Sequence, residues 1–185
     1  MFMKECQKKI KKILAICWGM QVAVVAAGGE VKKSSNGSHI GIAFDIELNP
    51  NGQKHSIYKG KKNKFCSPAF NFDEVVTLPK DAILLASNNI NKISSISFKH
   101  EKSEIWGIQY HPEIKYEKMI ELIKFRKDRL INQRKAFKSY DEIDHHISLI
   151  KNELSKSEIN HRMIELKNWL GSILSLIHIS EPTRP

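Results

Sequence analysis

Apolar and polar positions along the chain change pattern three times. Residues 3–12 scatter apolar and small side chains among lysines and predict a short exposed helix. Ile13-Leu14-Ala15-Ile16 follows as an unbroken apolar run, suited to a buried parallel strand. Residues 20–27 are apolar and small, and Gly28-Gly29 supplies a helix stop. The opening therefore reads strand, sharp turn, helix, with Cys17 at the turn.

Between residues 32 and 102 the runs become short and alternating, notably residues 40–46, 82–86 and 93–98. Asn-Pro-Asn-Gly, Leu-Pro-Lys-Asp and Asn-Asn clusters separate them, so this third should be mostly strands. Residues 104–110 form a further buried-strand candidate that runs straight into His111-Pro112-Glu113. Beyond Lys115 the period turns helical: Met119, Ile120, Leu122, Ile123 and Phe125; then Ile143, Ile147 and Ile150; then Ile159, Met163, Leu166 and Leu170. Two or three amphipathic helices are expected, and no internal repeat is visible.

A chain of 185 residues suits one domain with a real core. The expected organisation is an α/β unit over residues 1–114 and C-terminal helices over 115–173. Residues 174–185 read as the in-frame translation of a sequencing-library adapter, a non-native tail expected to pack nowhere.

With 41% hydrophobic and 27% charged residues, the composition is that of a soluble globular protein. No apolar run approaches the roughly 20 residues that span a bilayer, so no membrane association is expected. The lysine-rich start lacks a secretory cleavage signature. Cys6, Cys17 and Cys66 are odd in number and without metal-ligand spacing, which favours a reducing compartment, the cytoplasm. A net charge of +10 invites a nucleic-acid reading, but Arg126, Arg129, Arg134, Arg162 and Arg184 are the only arginines. Specific phosphate and base contacts favour the planar guanidinium fork, so spread lysines read as a solvated surface without a nucleic-acid partner. His145-His146 project to different helix faces and read as a solvated pair; no metal is expected. His39, His55, His100 and His161 show no partner pattern.

Ala15-Ile16-Cys17-Trp18-Gly19 carries candidate chemistry. A nucleophile between a buried strand and a helix sits in a tight elbow, which needs small residues two before and two after it, as Ala15 and Gly19 are. The helix N-terminus would favour thiolate, and the Trp18 N–H would face a developing oxyanion. On this motif alone, a small buried hydrophobe at a strand end accounts for Cys17 as well as a nucleophile does. His111 at a second strand exit could serve as general base, and Glu113 could turn back to hold its imidazole.

Together, Ile16-Cys17-Trp18-Gly19-Met20-Gln21 with Gly28-Gly29, then Trp106-Gly107-Ile108-Gln109-Tyr110-His111-Pro112-Glu113, resemble the class I glutamine amidotransferases, in particular those similar to the glutaminase half of GMP synthase. The resemblance extends over residues 4–173. It implies a flavodoxin-like open sheet, incomplete on its N-terminal side, with a C-terminal helical extension. It further implies a Cys17–His111–Glu113 triad, with Gln21, Trp18 and Gly19 at the glutamine-binding site. Glutamine would yield glutamate and ammonia through a γ-glutamyl thioester on Cys17, with no cofactor. A synthetase or other ammonia acceptor would be a partner, since the chain has no glycine loop for ATP phosphates.

Three departures stand out. Ala15 replaces the family's usual glycine, and Asn71 stands where the family commonly has histidine. In the family, strands and a glycine-rich loop precede the nucleophile and supply the second oxyanion donor. Here only residues 1–16 precede Cys17 and none is glycine, which implies a gene fragment. Losing such a donor costs about 100- to 1000-fold in turnover. Two other readings stay open: a γ-glutamyl hydrolase using the same triad, and a non-catalytic module that keeps the fold.

Overall fold

The computed structural model of the chain describes residues 2–156 and 158–179, the last five as backbone alone. Helix α1 (Phe2–Lys9) leads into strand β1 (Lys12–Ile16), and helix α2 (Trp18–Ala26) follows directly. The middle of the chain is mostly strands: β2 (Glu30–Lys33), β3 (His39–Ile40) and β4 (Ala43–Leu48). After the short helix α3 (Pro50–Lys54) come β5 (Lys64–Ser67), β6 (Phe70–Asn71), β7 (Asp73–Thr77), β8 (Ile83–Ser87), β9 (Ser95–His100) and β10 (Ser103–Ile108). Four helices complete the described chain: α4 (Tyr116–Asn132), α5 (Tyr140–Lys156), α6 (Ile159–Arg162) and α7 (Ile164–Ile179).

An open sheet of order β1-β10-β9-β8-β4-β5 forms the centre, flanked by the two-stranded pairs β2-β7 and β3-β6. This is the mixed α/β class with a helical C-terminal part that the residues predict. Strand direction is the difference from a flavodoxin-like sheet: β1 and β10 are its one parallel pair among the described residues. The links from β8 to β9 and from β9 to β10 are too short for a crossover helix, so these strands must return antiparallel.

Strand alternation divides the core. On β10, Ile105 points with Ile96, Phe98 and Val24 into one cluster, whereas Trp106 and Ile108 face Ile46, Leu85 and Tyr110 on the other side. Gly107 lies under α2, where an added Cβ would come within 2.9 Å of Met20 Cγ and 3.0 Å of Ile96 Cγ1. The absence of a side chain there lets α2 seat on the sheet. A third cluster joins Ile123, Leu130, Ile147 and Ile150 of α4 and α5 to Ile40 and Ile42.

Several expectations are corrected. The single strand over residues 40–46 is broken at Gly41, whose φ is +86°. A Cβ there would approach Ile123 and Ile150 to 2.6 and 2.8 Å, so helix packing forces the break. Helix α1 is not simply exposed, because Gln7 is fully buried and donates to the Ala23 carbonyl at 3.1 Å. The apolar stripe expected after residue 158 is largely outward: Ile159 and Leu170 are exposed while Arg162 and Glu165 are buried. His146 is half-buried and bonds Ile40 O through Nε2, unlike the solvated pair expected. Residues 174–179 continue α7, and the rest of the supposed tail, 180–185, lies outside the described residues. No helix among the described residues is long and apolar enough to cross a membrane.

Candidate active site

The parallel register of β1 and β10 builds the site. Ile16 pairs with Ile108, so both strands end at the same edge and Cys17 lies alongside Gln109. The Cys17 N–H donates to Ile108 O at 2.7 Å, extending the ladder by one residue. Cys17 itself adopts φ 51° and ψ −111°, a conformation that non-glycine residues rarely hold. Helix α2 begins at the next residue, and its first intrahelical bond runs from Gln21 N to Cys17 O. The amides of Trp18, Gly19 and Met20 therefore have no carbonyl partner within the helix, and the helix dipole is positive here.

Beyond β10 the chain is held at two points: Gln109 N donates to Ser94 O, and His111 N donates to Pro68 O. His111 Nδ1 meets Glu113 Oε1 at 2.6 Å, which leaves the other ring nitrogen for Cys17. Burial alone would lower the imidazole pKa, but hydrogen bonding and charge from Cys17 and Glu113 outweigh it and raise the value to about 9. The structure thus brings Cys17, His111 and Glu113 together.

Gln21 is half-buried and serves as a brace, its Nε2 reaching Asp73 O at 3.0 Å and Gln109 Oε1 at 3.2 Å. Gln109 in turn directs its amide to the Cys17 sulfur at 3.5 Å. Trp18 is exposed. A Cβ at Gly19 would meet nothing within 4 Å among the described residues, so the steric demand expected there operates at buried Ala15 and at Gly107 instead. A cleft of about 230 Å³ opens beside the sulfur, bordered by Cys17, Gln21 and Asp73 and by Arg126, Arg129 and Arg134 of α4 and the turn after it. Trp18 also borders it, whereas Gly19, His111 and Glu113 do not.

Three supports escaped the sequence reading. Asn71 is the hub of a buried chain: it accepts from His39 Nδ1 at 3.0 Å and donates to Asn91 Oδ1, while Asn91 donates to Glu74. Burial holds the His39 pKa down, and the neutral ring accepts from Asn88 on its other nitrogen. Arg162, from α6, donates to Pro112 O and to Ile114 O, gripping the backbone on both sides of Glu113. Finally, Lys61 pairs with Glu165 at 3.0 Å with both side chains buried, and Glu165 accepts from Tyr110, which meets Tyr58 at 2.7 Å. Polar residues on the helical stripes were the one available signal for Arg162 and Glu165; nothing local marks Asn71 or Lys61.

A cysteine elbow between a parallel strand and a helix, beside an imidazole–carboxylate pair at the neighbouring strand's end, defines an α/β protein of the nucleophile-elbow class. The chain belongs to the class I glutamine amidotransferases, the family model matching residues 1–127. It is 30% identical to a γ-glutamyl-L-1-hydroxyisopropylamide hydrolase of a Pseudomonas species, over 88% of this chain and 61% of the relative. It is 38% identical to the glutamine-hydrolysing component of GMP synthase from Methanosphaera stadtmanae, over 56% and 52%. The chain thus spans about half to three fifths of these relatives' length. A glutamine amidotransferase from Thermotoga maritima shares the fold with a TM-score of 0.66 at 19% identity, over 94% of this chain and 66% of that one.

Proposed function

We propose that the protein hydrolyses γ-glutamyl amides, glutamine being the simplest, with Cys17 as nucleophile, His111 as proton carrier and Glu113 as its orienting carboxylate. The convergence of Cys17 and the His111–Glu113 pair through the β1–β10 register carries this reading. The Cys17 sulfur attacks the amide carbon, and the Trp18 N–H supports the oxyanion. His111 gives its proton to the leaving nitrogen as the C–N bond breaks, releasing ammonia or an amine and leaving a γ-glutamyl thioester. Water then gives a proton to His111 and adds to the thioester; the C–S bond breaks, freeing glutamate and restoring the thiolate–imidazolium pair. Asp73 and Gln21, beside the cleft, are placed to hold the amino-acid end of the substrate. The expected setting is the cytoplasm, and a synthetase acceptor of ammonia fits the similarity to a GMP synthase component.

A second reading, hydrolysis of larger γ-glutamyl amides without an ammonia acceptor, is favoured by the similarity to the Pseudomonas hydrolase, which extends over most of this chain. A glutamine-analogue electrophile tests both. Labelling of Cys17 in the full-length protein, blocked by glutamine and lost in His111→Ala, is expected; absence of Cys17 labelling would overturn the enzyme reading. Release of ammonia against amine from glutamine and γ-glutamyl peptides then separates the two.

A further inference from the structure

Three of the chain's five arginines border the cleft beside Cys17, in a protein whose basic residues are otherwise lysine. Arg126 and Arg129 lie one helical turn apart on α4, and Arg134 follows its C-terminus. Two of the guanidinium groups lie against aromatic rings of the facing segment, Arg126 at 5.3 Å from the Phe70 ring centre and Arg134 at 4.6 Å from that of Phe72. Such contacts fix the guanidinium while leaving its N–H donors free for an oxyanion. Among the described residues, no carboxylate forms an ion pair with any of the three. The nearby acid Asp128 accepts instead from Tyr140. Asp73 is the one acidic residue bordering the cleft.

A γ-glutamyl head group carries one carboxylate and one ammonium and is neutral overall. Asp73 suits the ammonium and one arginine the carboxylate, which leaves two guanidinium groups facing the cleft without counter-charge. Glutamine, whose leaving group is uncharged ammonia, cannot supply it.

We propose that this arginine wall recognises an acidic group on the amine half of the substrate, so that the preferred substrates are γ-glutamyl amides of amino acids or similar acidic amines. The inference rests on the γ-glutamyl hydrolysis proposed above, and it separates this protein's substrate class from glutamine. A carboxylate suits the planar fork of arginine, which grips it through paired N–H donors.

Calorimetric titration of the full chain carrying Cys17→Ala tests the wall without turnover. The probes are γ-glutamylglycine and γ-glutamyl methylamide, which share a head group and differ in the second carboxylate. The expected result is about tenfold tighter binding of γ-glutamylglycine, the gain of one charge-assisted contact. That gap should shrink as salt rises and fall to within about twofold in Arg129→Gln, an exposed position whose exchange leaves the core untouched. Arg126→Gln is the second variant. Equal binding of the two probes, no measurable binding of γ-glutamylglycine, or a gap that survives both arginine exchanges would overturn the proposal. Failure of the hydrolysis reading looks different: the Cys17 protein would turn over neither probe while the binding gap stands.

Discussion

Replacing Arg162 tests whether the C-terminal helices hold the proposed triad in place. The guanidinium is 7% exposed and donates to Pro112 O and Ile114 O, the carbonyls flanking Glu113. Arg162→Met keeps most of the side-chain bulk and removes both donors. Hydrogen bonds from a charged donor contribute about 1.5–3 kcal/mol each, and relief of the buried charge offsets part of their loss. A net destabilisation on the order of 2–4 kcal/mol follows, read by urea unfolding followed with far-UV circular dichroism. The functional effect should be separable. With the turn released, the 2.6 Å contact between His111 and Glu113 loosens, and displacement of about 1 Å costs roughly 100-fold in turnover. The loss should fall on kcat with little change in KM, and Arg162→Lys should recover part of it. A variant with native kcat and less than about 0.5 kcal/mol of lost stability would refute the assignment of the guanidinium as a support of the turn.

The raised value of His111 gives a pH dependence of definite sign. Its folded pKa of about 9 exceeds the ordinary 6.5, so the stabilisation is complete below about pH 6.5 and is lost as pH rises through about 9. The shift corresponds to roughly 3 kcal/mol, reduced by partial solvent screening to on the order of 1–2 kcal/mol. Urea midpoints at about pH 6 and pH 10 should differ by that amount in the native chain and by far less in His111→Gln; an unchanged difference would exclude His111 as its source. In the same range, the basic limb of the kcat/KM profile should move to lower pH in Glu113→Gln, because Glu113 helps hold the proton on the ring. For the buried Lys61–Glu165 pair, Lys61→Met should cost about 3–5 kcal/mol by stranding a carboxylate, whereas Lys61→Met with Glu165→Leu should recover most of the loss in thermal unfolding.

How much was legible in the sequence follows from the range of the interactions. An unbroken apolar run, small residues around a cysteine and a glycine stop are local signals, and they placed β1, the elbow and α2 within a residue or two. The motif after Trp106 was equally local, so His111 and Glu113 could be picked out and paired. Arg162 and Glu165 were passed over because hydrophobic periodicity assigns polar residues to solvent, while here their partners arrive from the distant Lys61 and from the turn after β10. Gly41 likewise lies within a strand-like pattern that breaks because α4 and α5 approach it from the far end of the chain.

By itself, the order of residues determined which side chains carry the chemistry and the local turns that expose them, because elbow geometry and strand burial depend on near neighbours. Tertiary structure alone decided what surrounds them: the strand register that sets Cys17 beside Gln109, the arginine wall brought by α4, and the buried partners of Arg162, Glu165 and Asn71. Those contacts join segments far apart in the chain, and it is only their shared burial, with the desolvation it imposes on every unpaired polar group, that selects one pairing over the others.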